Sequence, residues 1–211
     1  MRSSFLLFFI LVILSSLISI VVQEMVFTED VYYASLSEQL SVERIESLLK
    51  KKGELGWIGY LVKMIFYSFK IFIVAICLLI GLFFVNKNCL LGSLVNIVIK
   101  AEFVFLIPSV IILLWFGVIK QSSYTFSDIS NFSPLSMLNL FDTGEIDLWL
   151  KYPLGAINVF EFLYMGILAQ GLSVVTDMSF LKSFKVTLFS YGAALLLWIV
   201  FVVFIIISFT A

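Results

Sequence analysis

The stretch 152–210, YPLGAINVFEFLYMGILAQGLSVVTDMSFLKSFKVTLFSYGAALLLWIVFVVFIIISFT, decides the fold. Two long apolar runs flank a short polar turn over residues 177–185, and one carboxylate, Glu161, sits inside the first run. About 20 apolar residues rising 1.5 Å each match a hydrocarbon core about 30 Å thick. The stretch therefore reads as a membrane hairpin with spans over about 156–176 and 186–209.

Composition extends that reading to the whole chain. Its 211 residues are 62% hydrophobic and only 13% charged, with a mean hydropathy of +1.15. Soluble domains carry about a quarter charged residues, so residues 1–211 are expected to form a single integral membrane domain. A net charge of −1 supplies no basic field for phosphate backbones, which argues against a nucleic-acid partner. Histidine is absent, and Cys77 and Cys89 have no CxxC spacing, so zinc, haem and histidine proton relays lose their usual ligands or bases. No metal or cofactor is expected, and Cys77 reads as a small packing hydrophobe. No P-loop, nucleophile elbow, HExxH or paired-carboxylate motif appears, so no catalytic residue is assigned and no enzymatic activity is expected.

Working outward, residues 5–22 are an apolar run too long for the usual signal-peptide core and lacking a clear cleavage site, so they read as an uncleaved first span. A polar loop over 23–56 follows. In it Ser35 and Glu38 fit a capping box, and Val42, Ile45, Leu48 and Leu49 share one face of a short amphipathic helix. Lys50, Lys51 and Lys52 followed by Gly53 look like the end of that helix. The second span, about 57–85, carries Lys63 and Lys70 in its first half, where they either snorkel or stand outside the hydrocarbon. The third, about 91–119, carries Lys100 and Glu102 early and Pro108 near its middle, where a kink is expected. Residues 120–150 are a loop whose apolar members suggest a re-entrant or interfacial segment, and Pro153 with Gly155 open the fourth span. The predicted architecture is all-α: a transmembrane bundle of about five spans with a short amphipathic helix in the first loop.

The fourth span carries two polar stripes, Asn158 with Glu161, and Gly166, Gln170 and Ser173 with Asp177. Ser190, Gly192, Ala193 and Ala194 in the fifth form a small-residue patch on which the fourth span is expected to pack. Glu161 is the sharpest feature, because a charge at mid-span costs about 2.5–3.5 kcal/mol on insertion scales. It reads as a proton or cation site, as a structural pair with Lys63, Lys70 or Lys100, or as a residue near the headgroups in the first turns of its helix. Lys100 and Glu102 are two residues apart and point to different sides of their helix, so one of them can face the fourth span. Gln170, Ser173 and Thr176 read as interhelical hydrogen-bond donors. The candidate intramembrane polar site is thus Asn158, Glu161, Gln170, Lys100 and Glu102.

The motifs Phe105-Leu-Ile-Pro108, Pro134-Leu-Ser-Met-Leu-Asn139-Leu, Ile157-Asn-Val-Phe-Glu161-Phe-Leu-Tyr164, Gly171-Leu-Ser-Val-Val-Thr-Asp177-Met-Ser-Phe-Leu-Lys182 and Tyr191-Gly192 resemble the Yip-type (Yip/Yif-related) family of five-span membrane proteins, especially its small bacterial members. The resemblance covers about residues 55–210. It implies a five-helix bundle with a cytoplasmic amino terminus and no known enzymatic activity. Eukaryotic relatives act in vesicle traffic with small GTPases; here only residues 1–4 precede the first span, so a small GTPase is not expected as partner. The resemblance points to the cytoplasmic membrane of a bacterium, with a eukaryotic endomembrane as the alternative. Charge alone does not orient the chain: with the amino terminus inside, Arg2, Lys87, Lys100, Lys182 and Lys185 face in, while Arg44, the Lys50 to Lys52 run, Lys120 and Lys151, with Lys63 if it lies at the surface, face out. The expected role is a scaffold or accessory subunit that binds the lipid bilayer and other membrane proteins or further copies of itself. A small transporter or channel subunit using Glu161 is the alternative.

Overall fold

Long apolar runs almost free of proline can satisfy their backbone groups inside a membrane only as helices. The computed structural model describes residues 2–120, 124–142 and 144–210, with backbone alone at Arg2, Ser3 and Thr210. The side chains of Arg2 and Ser3 thus lie outside the described residues. Among those described, ten α-helices run as α1 (Arg2–Met25), α2 (Glu29–Leu36), α3 (Val42–Phe84), α4 (Leu91–Glu102), α5 (Leu106–Leu114), α6 (Phe126–Asn131), α7 (Leu148–Ala156), α8 (Val159–Thr176), α9 (Phe180–Thr187) and α10 (Ala193–Thr210). Five stretches are long and apolar enough to cross a membrane: Ser4–Met25, Val42–Phe84, Leu91–Ile119, Val159–Thr176 and Phe180–Phe209. The protein is an all-α, multi-pass membrane protein.

The expected amphipathic helix does not end at Gly53. It continues into the second span as α3, because Gly53, Gly56 and Gly59 cost helix propensity without removing a hydrogen bond, as proline would. Ile45 is fully buried, whereas Val42 and Leu48 stay exposed, so the expected apolar face is covered at one point. Ser35 caps nothing at its own helix; it lies within α2, and its hydroxyl accepts from the backbone N–H of Phe126 at 3.0 Å. The third span is broken by a 3-10 turn at Phe103–Phe105, between α4 and α5. Pro108 follows one turn later, within α5, and has no N–H to continue the backbone ladder there. Pro153 and Gly155 lie inside α7 rather than opening α8, which begins at Val159 after its cap Asn158. The hairpin turn is shorter than the polar run predicts, since α9 already starts at Phe180 and contains Lys182 and Lys185.

The helices group into two compact units. One comprises Met1–Leu11, Ser68–Phe105 and Leu135–Ala211; the other comprises Val12–Tyr67 and Leu106–Pro134. In the first, the core is built from helical faces: Ile71, Val74, Leu78 and Leu82 of α3, Leu94, Val98 and Ala101 of α4, and Tyr164, Leu168 and Leu172 of α8. Glycine sets the spacing at two points. A Cβ on Gly171 would stand 2.9 Å from Cγ1 of Ile97, and one on Gly81 would stand 2.7 Å from Cβ of Ser190. The small-residue patch is therefore divided, with Ser190 against α3, Gly192 beside Met165 of α8, and Ala193 exposed. The second unit closes around Val26, Val31, Phe116, Tyr124 and Ile129, where the Tyr124 hydroxyl donates to the Val26 carbonyl at 2.9 Å.

Candidate functional site

The beginning of α8 is fixed by a small tertiary device. Residues 135–137 lie antiparallel to 157–159, with an isolated bridge between Ser136 and Asn158; the Met137 N–H donates to the Ile157 carbonyl at 3.0 Å, and the Val159 N–H to the Leu135 carbonyl at 3.1 Å. Leu135 adopts a left-handed φ of 54° to make this turn. Asn158, an extended residue, then caps the helix: its Oδ1 accepts from the Glu161 N–H at 2.9 Å, and its amide donates to the carbonyls of Gly155 and Ala156, each at 3.1 Å. An Asn at this position is among the best N-caps, and Glu161 three residues on suits the positive end of the helix.

One turn further, α8 meets a cluster of five polar side chains. The Glu161 carboxylate, 8% exposed, accepts a hydrogen bond from the Tyr191 hydroxyl. Tyr164, fully buried, donates its hydroxyl to Oε1 of Glu102 at 2.8 Å, while Lys70 donates to Oε2 at 2.9 Å. Glu102 is itself fully buried. The Lys70 ammonium lies 3.9 Å from the ring centre of Phe105 and 5.2 Å from that of Tyr164, a cation–π arrangement that partly replaces water. The Tyr164 and Tyr191 rings meet edge to face with centres 5.2 Å apart, so the two carboxylates belong to one polar layer. Tyr191 sits in a π-helical turn, Leu188–Gly192, opened between α9 and α10, and the Ser190 hydroxyl bonds back to the Val186 carbonyl there at 2.7 Å.

Of the residues singled out from sequence, the structure brings Asn158, Glu161 and Glu102 together and leaves Lys100 and Gln170 exposed elsewhere on their helices. Glu102, not Lys100, turns toward α8. None of the three lysines weighed as ion-pair partners for Glu161 takes that role: Lys70 pairs with Glu102, Lys63 donates to Ser15 and Ser19, and Lys100 is exposed. Ser173 and Thr176 are not interhelical donors. Ser173 bonds to the carbonyl of Met178, in the turn after α8, at 2.7 Å, and Thr176 bonds back to the carbonyl of Leu172, four residues earlier in the helix, at 2.6 Å. The Lys87 ammonium donates to the Thr176 carbonyl at 3.2 Å, a cation placed at the negative end of α8.

Three members of the cluster escape a reading by residue type: Lys70, which is weighed only against Glu161, and Tyr164 and Tyr191, which resemble ordinary core aromatics. The available signal was Tyr164 itself, three residues from Glu161 and thus on the same helical face. Among the described residues, no three Cys, Asp or Glu side chains converge on a site that could hold a metal. The chemistry on offer is that of fixed donors and acceptors, two carboxylates each held by a phenol and one also by an ammonium.

No family model, curated protein or solved structure matches this chain.

Proposed function

We propose that the protein is a non-enzymatic scaffold or accessory subunit of a membrane complex. One observation carries the reading: the two buried carboxylates beside α8 are each held by neighbouring side chains, Glu102 by Lys70 and Tyr164, and Glu161 by Tyr191. A transport path needs such groups presented to water in series, whereas a scaffold needs them to lock helices together. The exposed apolar faces of the flanking helices, with Phe189, Leu197 and Phe204 each about two-thirds exposed or more, suit lipid and other membrane proteins or further copies of the chain. The Yip-type resemblance supports the same role in the cytoplasmic membrane of a bacterium, with the amino terminus inside.

The test compares two variants by stability and by flux. Glu161→Gln retains an acceptor for the Tyr191 hydroxyl and stays close to wild type in thermal stability in detergent, while Glu161→Leu leaves that phenol unpaired and loses about 1–3 kcal/mol. A Glu161→Gln protein that is fully stable yet loses a proton- or cation-dependent flux in reconstituted vesicles favours the transporter reading. Co-purification of the wild-type chain from its native membrane then identifies the complex.

A further inference from the structure

Lys63 of α3 is treated differently from Lys70 of the same helix. The ion pairs found among the described residues join Lys70 to Glu102 and Lys120 to Asp128. Lys63 has no carboxylate; its ammonium donates to the Ser15 carbonyl at 3.2 Å and to the Ser19 hydroxyl, both on α1. An ammonium carries three N–H donors, so one donor and the whole positive charge remain to be matched.

Beside Ser19 a cleft of about 210 Å³ opens between α1 and α5. Its polar lining is Ser19, Gln23 and Ser109, and its apolar lining is Val22, Phe27 and Ile112. Each polar group can donate a hydrogen bond, including Ser19, which accepts from Lys63 and keeps its own hydrogen. No carboxylate lines the cleft. Glu24, the nearest acid along α1, is five residues from Ser19 and so is turned about 140° away around the helix, where it is exposed. Donors on two helices with a neighbouring unmatched cation select an oxyanion. The volume is several times the roughly 30 Å³ that a water molecule occupies, enough for a tetrahedral one.

The level of the cleft indicates the source of that anion. At 1.5 Å per residue, about 20 residues cross the hydrocarbon, and counted back from Phe84 they end beside Lys63. Ser19 and Gln23 lie likewise near the end of the first span, Ser4–Met25. Phosphates of the lipid headgroups are concentrated at this depth, and Val22, Phe27 and Ile112 continue the wall in the material an acyl ester prefers.

We propose that the Ser19, Gln23 and Ser109 cleft beside Lys63 binds the phosphate of a phospholipid headgroup. The full chain, delipidated in detergent, is titrated with phosphatidylglycerol, and bound lipid is counted by native mass spectrometry. The wild type holds one lipid per chain and melts at a higher temperature with it. Lys63→Met weakens retention about tenfold or more. Ser109→Leu, which fills the cleft and leaves the bonds of Lys63 untouched, does the same while helix content is unchanged; it decides the matter where Lys63→Met fails to fold. Equal retention by wild type and Ser109→Leu, or no retained lipid in the wild type, overturns the proposal. A parallel titration with inorganic phosphate separates the two sources: if phosphate alone raises the melting temperature and displaces the lipid, the lipid assignment is overturned in favour of a free anion.

Discussion

Glu102 shows how a single buried charge is made tolerable. A carboxylate without exposure to solvent costs several kcal/mol unless its lone pairs are met, and here Tyr164 and Lys70 meet both oxygens from two other helices. Tyr164→Phe removes one donor and little volume, so a loss of about 1–3 kcal/mol is expected in denaturation monitored in detergent. At the surface, Asp128 shows the milder version. The Thr125 backbone N–H, 2.8 Å away, holds its carboxyl below the usual aspartate range, helped by the Thr125 hydroxyl and by Lys120 at 3.5 Å. A lowered value means that this contribution is complete above the ordinary aspartate pKa and is lost as pH falls through the folded-state value. Wild type should therefore lose more stability between neutral and acid pH than Asp128→Asn does, and parallel pH curves for the two would contradict the assignment. The spacing of Thr125 and Asp128 is readable as a capping box, yet it stands in a stretch whose sequence reads as a loop with a re-entrant or interfacial segment. By contrast, no spacing rule links Lys70 to Glu102, 32 residues apart, because that partnership depends on how α3 and α4 come together.

At the level of elements, the spans were legible and their joints were not. Apolar length defines a span whatever its neighbours do, so the five runs emerge from composition. Joints depend on local competition instead: α3 runs through three glycines, a 3-10 turn precedes Pro108, and α8 starts only where the bridge between Ser136 and Asn158 fixes it. Glycine positions test the packing directly. Gly166 has nothing within 4 Å of where a Cβ would lie, whereas Gly171 abuts Ile97. Gly166→Ala should raise stability by about 0.5–1 kcal/mol, the usual helix preference, and Gly171→Ala should lower it by about 1–3 kcal/mol as α4 is forced away from α8. The melting temperatures of the two variants should move in opposite directions.

For the whole molecule, five crossings would put the two ends of the chain on opposite faces of the membrane. Single cysteines at Ser3→Cys and Thr210→Cys, in a background lacking Cys77 and Cys89, should label from opposite sides with an impermeant thiol reagent; labelling from one side would mean that one of the five stretches does not cross. The length of α3 adds a constraint of another kind. Its 43 residues extend about 65 Å, twice what the hydrocarbon needs. Taking the crossing portion to end near Lys63, about 30 Å of the same helix lies beyond the hydrocarbon, bearing Glu43, Arg44, Glu46, the Lys50 to Lys52 run and Glu54. A continuous helix does not fold back on itself, so each residue added to or removed from this segment should shift its first turns along the helix axis by about 1.5 Å and turn them by about 100°.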